Sequence, residues 1–142
     1  MSSGLSRLEI QSNGRGFVEI TAEVNQRIAG SQIENGLCHL FLLHTSASLL
    51  ITENADRDVR ADLETFMQKW APDGDPSYRH DMEGADDMPA HIRSVLTATE
   101  LTVPVRNGRL ALGTWQGIYL WEHRYRPHLR RLELTLTRAY SV

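Results

Sequence analysis

Asn13-Gly14 and Asn107-Gly108 each stand between short apolar runs. An Asn-Gly pair in that setting is the chemistry of a tight hairpin, because both residues accept the positive φ that a type I′ turn demands. Leu8 and Ile10, alternating with polar residues, precede the first pair, and Phe17, Val18 and Ile20 follow it; residues 101–105 and 110–112 flank the second. Hairpins build antiparallel sheets, and no regular strand-helix-strand repeat of the parallel kind runs through the chain. The expected class is α+β: a mainly antiparallel β-sheet packed with two or three helices, as one domain over residues 1–142.

Other segments fill in the order. Residues 37–43 are almost continuously apolar and residues 49–52 resume the run, which reads as strand buried on both faces. Residues 118–122 and the alternating Leu132, Leu134 and Leu136 add further strands. In residues 22–33 the spacing of Val24 and Ile28 predicts a short helix, with Gly36 free to cap it in the left-handed conformation. Asp56 offers an N-cap to a helix carrying Val59, Leu63, Phe66 and Trp70 on one stripe. Pro89 opens another, with Met88, His91, Ile92, Val95 and Leu96 as its inward face. Between these two helices lies the acidic, Pro- and Gly-interrupted stretch 71–87, and a loop of that length in a compact chain is more often functional than idle.

Composition narrows the function classes. Fifteen Lys and Arg against 18 Asp and Glu leave a net charge of −3, so there is no basic excess for sequence-independent nucleic-acid binding. No apolar run approaches the roughly 20 residues that span a bilayer. The opening Met-Ser-Ser-Gly lacks the charged-then-apolar layout of a signal peptide. The single Cys38 has no partner for a disulfide within the chain and suits a reducing compartment. The expected location is the cytoplasm, without nucleic-acid or membrane partners.

Histidines carry the most chemistry. His80 lies in the acidic loop, His91 on the apolar helical stripe and His123 at the end of a strand, and together they would suit a divalent transition metal such as zinc with a position open for water or substrate. A satisfied core histidine is the other reading of His91. In residues 118–123, Ile118, Leu120 and Glu122 point one way and Tyr119, Trp121 and His123 the other. Both faces are bulky, so the strand needs cover on each side, from its own helices or from a neighbouring subunit. His44, Thr45, Ser46 and Ser48 interrupt two apolar runs, with Glu53 just before a helix start, an arrangement that suits a phosphate oxygen or a polar strand edge equally. Arg124, Arg126, Arg130 and Arg131 crowd one stretch that reads as a polyanion clamp or as a solvated loop.

Three segments, HTSASLLITENADRDV (44–59), RHDMEGADDMPAHIRS (79–94) and NGRLALGTWQGIYLWEHR (107–124), resemble the YjbQ-like family, members of which carry the label secondary thiamine-phosphate synthase. The resemblance runs over nearly the whole chain. It implies a homotrimer of small α+β subunits with a zinc-type metal site of His80, His91 and His123 in a cleft near the subunit boundary. It also implies His44, Glu53, Asp86 and Glu122 as catalytic groups; apart from the resemblance, a small phosphorylated substrate is expected at Thr45, Ser46, Gln116 and Arg124. The implied activity joins a pyrimidine diphosphate to a thiazole monophosphate with release of pyrophosphate; a metal-dependent hydrolase of small phosphate or ester substrates and a non-catalytic trimeric binding module are the alternatives. Thr97 departs from the family, standing where relatives often have glycine.

Overall fold

Asn107 and Gly108 adopt φ of 54° and 75°, and the hairpin expected around them forms. In the computed structural model, which describes residues 3–140, the order is β1 (Ser3–Gln11), β2 (Gly16–Glu19), α1 (Thr21–Ser31), β3 (Gly36–Leu42), β4 (Ala47–Glu53), α2 (Arg57–Trp70), α3 (Asp87–Leu96), β5 (Glu100–Arg106), β6 (Arg109–Leu110), β7 (Gln116–Glu122) and β8 (Leu129–Arg138). Met1 and Ser2 of the opening Met-Ser-Ser-Gly lie outside the described residues, as do Ser141 and Val142.

The strands form two sheets rather than one, a five-stranded sheet β1-β8-β3-β5-β6 and a three-stranded sheet β2-β7-β4, with every pairing antiparallel. The α+β expectation therefore holds. The hairpin expected at Asn13-Gly14 does not, because β1 pairs with β8 and β2 with β7 in the other sheet. Ser12 anchors this crossing: it is fully buried, its hydroxyl donates to Glu122 Oε1 at 2.6 Å, and its N–H donates to the His128 carbonyl at 2.8 Å.

Between the sheets lies the core. Leu8 and Ile10 of β1, Cys38, Leu40 and Leu42 of β3, and Leu132, Leu134 and Leu136 of β8 meet Ala47 and Leu49 of β4 and Ile118 and Leu120 of β7, with Val24 and Ile28 of α1 among them. Each such buried aliphatic side chain is worth about 1.5–3 kcal/mol relative to exposure. On the other face of the small sheet, Tyr119 and Trp121 are 3% and 2% exposed within the single chain. Phe17 stacks on Trp121 at 4.5 Å, and α2 supplies Arg60 over Tyr119 and Glu64 to the Trp121 indole N–H. Their cover thus comes from their own chain, and they give no reason to invoke a neighbouring subunit.

The helices depart from their expected faces. Asp56 caps α2 as expected, its carboxylate accepting from the Asp58 N–H at 2.9 Å, but Phe66 and Trp70 stay exposed and pack on each other. In α3 the buried residues are Asp87, Pro89, Ala90, Arg93 and Ser94, while Val95 and Leu96 face outward. Polar partners decide this: Arg93 pairs with Glu64 and the Ser94 hydroxyl donates to the Ala47 carbonyl. Thr97 closes the helix by donating its hydroxyl to the Arg93 carbonyl at 2.7 Å, with no need of glycine. Gln32, not Gly36, takes the left-handed cap of α1. Gly36 instead opens β3 where a Cβ would stand 1.9 Å from the Thr137 carbonyl oxygen. Among the described residues no helix is long and apolar enough to cross a membrane.

Candidate metal centre

Asp87 and His91 lie one turn apart on α3, which places both side chains on the same side of the helix. His80 reaches them from the preceding loop, bent by Gly84 at φ 103°. Asp87 Oδ2 lies 2.6 Å from His80 Nε2 and 3.2 Å from His91 Nε2. One ligand atom from each residue can be chosen so that all three lie within 4.8 Å of one another.

Asp87 and His91 are held from behind. Arg124 Nη1 donates to Asp87 Oδ1 at 2.6 Å, its Nε donates to Asp86 Oδ2 at 3.0 Å, and its Nη2 donates to the Glu83 carbonyl. The clamp leaves Asp87 Oδ2 turned to the two imidazoles. His91 Nδ1 donates to the Thr45 carbonyl at 3.1 Å, which leaves the Nε2 lone pair toward Asp87. Burial works to raise the Asp87 carboxyl, but the His80 and Glu83 hydrogen bonds and the charge of Arg124 outweigh it and hold it below the usual carboxylate range.

This donor set fits a first-row divalent ion. Tetrahedral zinc with bonds near 2.0–2.1 Å puts its ligand atoms about 3.3 Å apart. The Asp87–His91 separation of 3.2 Å already matches, and the Asp87–His80 separation must open by less than about 1 Å from 2.6 Å. Two imidazoles and a carboxylate leave a fourth position for water or a small oxygen ligand.

His123 does not join His80 and His91. It is fully buried on the side of the small sheet facing α2 and α3, with Nε2 2.8 Å from Ser48 Oγ. Burial, then the charge of Arg93, pushes its imidazole down to about 2 and keeps it neutral. The third member is Asp87, which sequence reasoning passed over in favour of Asp86; the Asp-x-x-x-His spacing on one helix was the signal that could have found it. Asp86 itself accepts from Arg124 and from the Tyr125 N–H, so it positions the clamp. Arg124 is likewise committed to Asp86 and Asp87 and is not a free substrate contact.

Glu122 is no free acid or base either. It is fully buried and accepts from Ser12 and Arg130 Nε at Oε1, and from Arg130 Nη2 and the His123 and Arg124 N–H groups at Oε2. Burial pushes its carboxyl up, but Arg130 and Ser12 prevail and hold it low. Ser46 is tied into the same network through Arg130 Nη2 at 3.0 Å. Glu53 and Gln116 are placed elsewhere by register: they pair with each other at one end of the small sheet, six residues from the Ala47–Glu122 pair, a distance of about 20 Å. Glu53 accepts from the Asp56 N–H at the start of α2, and Gln116 from the Gly113 N–H.

His44 and Thr45 remain beside the centre, in a groove they share with His91, Ser94, Val95, Thr97 and Thr99. The Arg131 N–H donates to His44 Nε2 at 2.8 Å, so the hydrogen of the neutral ring sits on Nδ1. Burial and the nearby Arg130 and Arg131 charges lower the His44 pKa.

A family model described as UPF0047 protein YjbQ-like matches residues 6–139. The UPF0047 protein YjbQ of Salmonella typhimurium is 50% identical over 130 residues, 91% of this chain and 94% of that one. A UPF0047 protein of Synechocystis is 50% identical over 125 residues, covering 88% and 85% of the two chains. Among solved structures, a conserved hypothetical protein of Thermus thermophilus superimposes with a TM-score of 0.84 at 37% identity, over 92% of this chain and 98% of that one. A YbjQ-like protein of unknown function from Sulfolobus solfataricus does so at 0.84 and 26% identity, over 96% and 99%. None of these names carries thiamine-phosphate synthesis or any other enzymatic activity, and one states that the function is unknown. That overturns the thiamine-phosphate synthase expectation and, with it, the assignment of the chain as a transferase.

Proposed function

The chain belongs to the UPF0047 YjbQ-like family, and from that premise we propose that it is a divalent-metal-binding protein whose centre is His80, Asp87 and His91. What carries the reading is one observation: a single carboxylate oxygen, Asp87 Oδ2, is faced by two imidazole nitrogens while Arg124 and the Thr45 carbonyl hold the far sides of Asp87 and His91. A metal-ligating histidine characteristically gives its other ring N–H to a carbonyl or carboxylate, as His91 does here. Zinc is the ion to test first, since imidazole and carboxylate ligands in a three-protein-ligand set suit it. A bound ion would supply Lewis acidity at its open position. The groove of His44, Thr45 and Ser94, which His91 also lines, is where a small ligand would approach it.

We also propose that the chain self-associates as a homotrimer in the cytoplasm. Leu37, Phe41 and Leu43 project from the outer face of β3 and its end at 47%, 41% and 41% exposure, an apolar row suited to an interface. Cys38, buried and free, suits a reducing compartment.

The metal proposal is tested by isothermal titration of metal-free protein with Zn²⁺. Wild type is expected to bind one ion per chain, and His91→Ala and Asp87→Asn to weaken binding by at least about tenfold. Equal affinity in all three would overturn it.

A further inference from the structure

Glu83 is a charged neighbour of the metal centre that the set of His80, Asp87 and His91 leaves out. Its Oε2 lies 3.4 Å from His80 Nε2, the nitrogen that Asp87 Oδ2 faces at 2.6 Å. A separation of 3.4 Å is close to the roughly 3.3 Å between ligand atoms of tetrahedral zinc, as is the 3.2 Å from Asp87 Oδ2 to His91 Nε2. Glu83 is also a hydrogen-bond partner of the Asp87 carboxyl. Two carboxylates and an imidazole nitrogen thus converge around His80 Nε2, and like charges brought this close are relieved by a proton or by a cation between them.

The backbone of Glu83 is fixed while its side chain is free. Arg124 Nη2 donates to the Glu83 carbonyl at 2.8 Å, and Nη1 of the same guanidinium donates to Asp87 Oδ1, so one arginine sets the main chain of Glu83 against the Asp87 carboxylate. Gly84 turns the chain directly afterwards, at φ 103°. The Glu83 side chain, by contrast, is 64% exposed, against 3% for Asp87. It stands outside the group whose ligand atoms all lie within 4.8 Å of one another, so it reaches an ion held there by rotating its own side chain and can leave the same way. As a surface ion pair with His80, three residues before it, Glu83 would contribute little. Its position matters for what it can do to an ion.

We propose that Glu83 is an exchangeable fourth ligand of the metal centre: its carboxylate closes the position that His80, Asp87 and His91 leave open, and swings out when an incoming oxygen ligand takes that position. The proposal rests on the metal reading of this centre. With Glu83 in place the ion has four protein ligands, the arrangement of a closed site; with Glu83 displaced it has three, the arrangement of an open one. The incoming group must outcompete a carboxylate oxygen tethered beside the ion, which selects anionic oxygen donors over neutral ones.

The test loads metal-free wild type and Glu83→Gln with Co²⁺, whose visible absorption bands report its coordination, and then titrates each with sodium acetate at constant ionic strength. Wild type is expected to bind one Co²⁺ per chain, and the variant to bind it at least about tenfold more weakly. The bands of the variant are expected to differ from those of wild type, and acetate to change them at a concentration at least about tenfold lower, because no tethered carboxylate competes. Since the side chain is exposed, the Tm of the two metal-free proteins is expected to agree within about 2 °C, which separates a role at the ion from a role in folding. Equal Co²⁺ affinity with the same bands and the same acetate response overturns the proposal and leaves the three-residue centre standing. A wild type that takes up no Co²⁺ refutes the centre and this ligand together.

Discussion

Glu122→Gln is the perturbation that separates a structural carboxylate from a working one. The glutamate is 0% exposed and accepts five hydrogen bonds, two of them from Arg130, whose side chain is 4% exposed. Glutamine preserves the shape but offers one acceptor oxygen and turns an NH₂ toward donors, leaving the Arg130 guanidinium buried and unpaired. Removing one partner of a buried, hydrogen-bonded pair costs about 3–5 kcal/mol, a large share of the roughly 5–15 kcal/mol that holds a typical domain folded. At this length each kcal/mol moves Tm by about 3 °C, so thermal denaturation followed by circular dichroism should show a fall of roughly 10–15 °C. The pH dependence follows with a definite sign. The folded Glu122 carboxyl is held below its unfolded value, so its contribution is present above about pH 4.3 and is lost as the pH falls through the folded value. The gap between wild type and variant should therefore narrow on acidification. A Tm loss under about 3 °C at neutral pH, or a gap that widens in acid, would refute the reasoning.

Other expectations are checked more briefly. Arg124→Met frees Asp87 Oδ1 and should weaken zinc binding about 10–100-fold in calorimetry while leaving one site per chain. Leu120→Ala, at a fully buried position between the two sheets, should cost about 2–5 kcal/mol in urea denaturation. Gly36→Ala drives a methyl group into the Thr137 carbonyl, and a loss at or above about 3 kcal/mol in the same assay is expected.

Local chemistry was legible where it acts over a few residues. The Asn107-Gly108 turn, the Asp56 cap and the alternation in β8 all form as their residues demand. What depended on long-range pairing was not: nothing local at Asn13-Gly14 reveals that β1 and β2 will join different sheets, because the partners β8 and β7 lie at the far end of the chain. The face of α3 was misread for a related reason. Apolar periodicity points Val95 inward, but Glu64 and the Ala47 carbonyl, both remote in sequence, supply the bonds that bury Arg93 and Ser94 instead. In the candidate centre, His80 and His91 lie together as the sequence led one to expect, whereas His123, only a residue beyond the end of β7, falls on the buried side with Ser48. Which neighbour a histidine meets is decided by packing, and Asp87 was overlooked because Asp86 beside it carries the same charge.

The most direct measurement is an anomalous-scattering map at the zinc edge from crystals of the protein equilibrated with Zn²⁺. The account predicts one peak per chain, about 2.0–2.2 Å from His80 Nε2, His91 Nε2 and an oxygen of Asp87. A peak ligated by His44 or His123 in place of these, or no peak at this cluster, would contradict it.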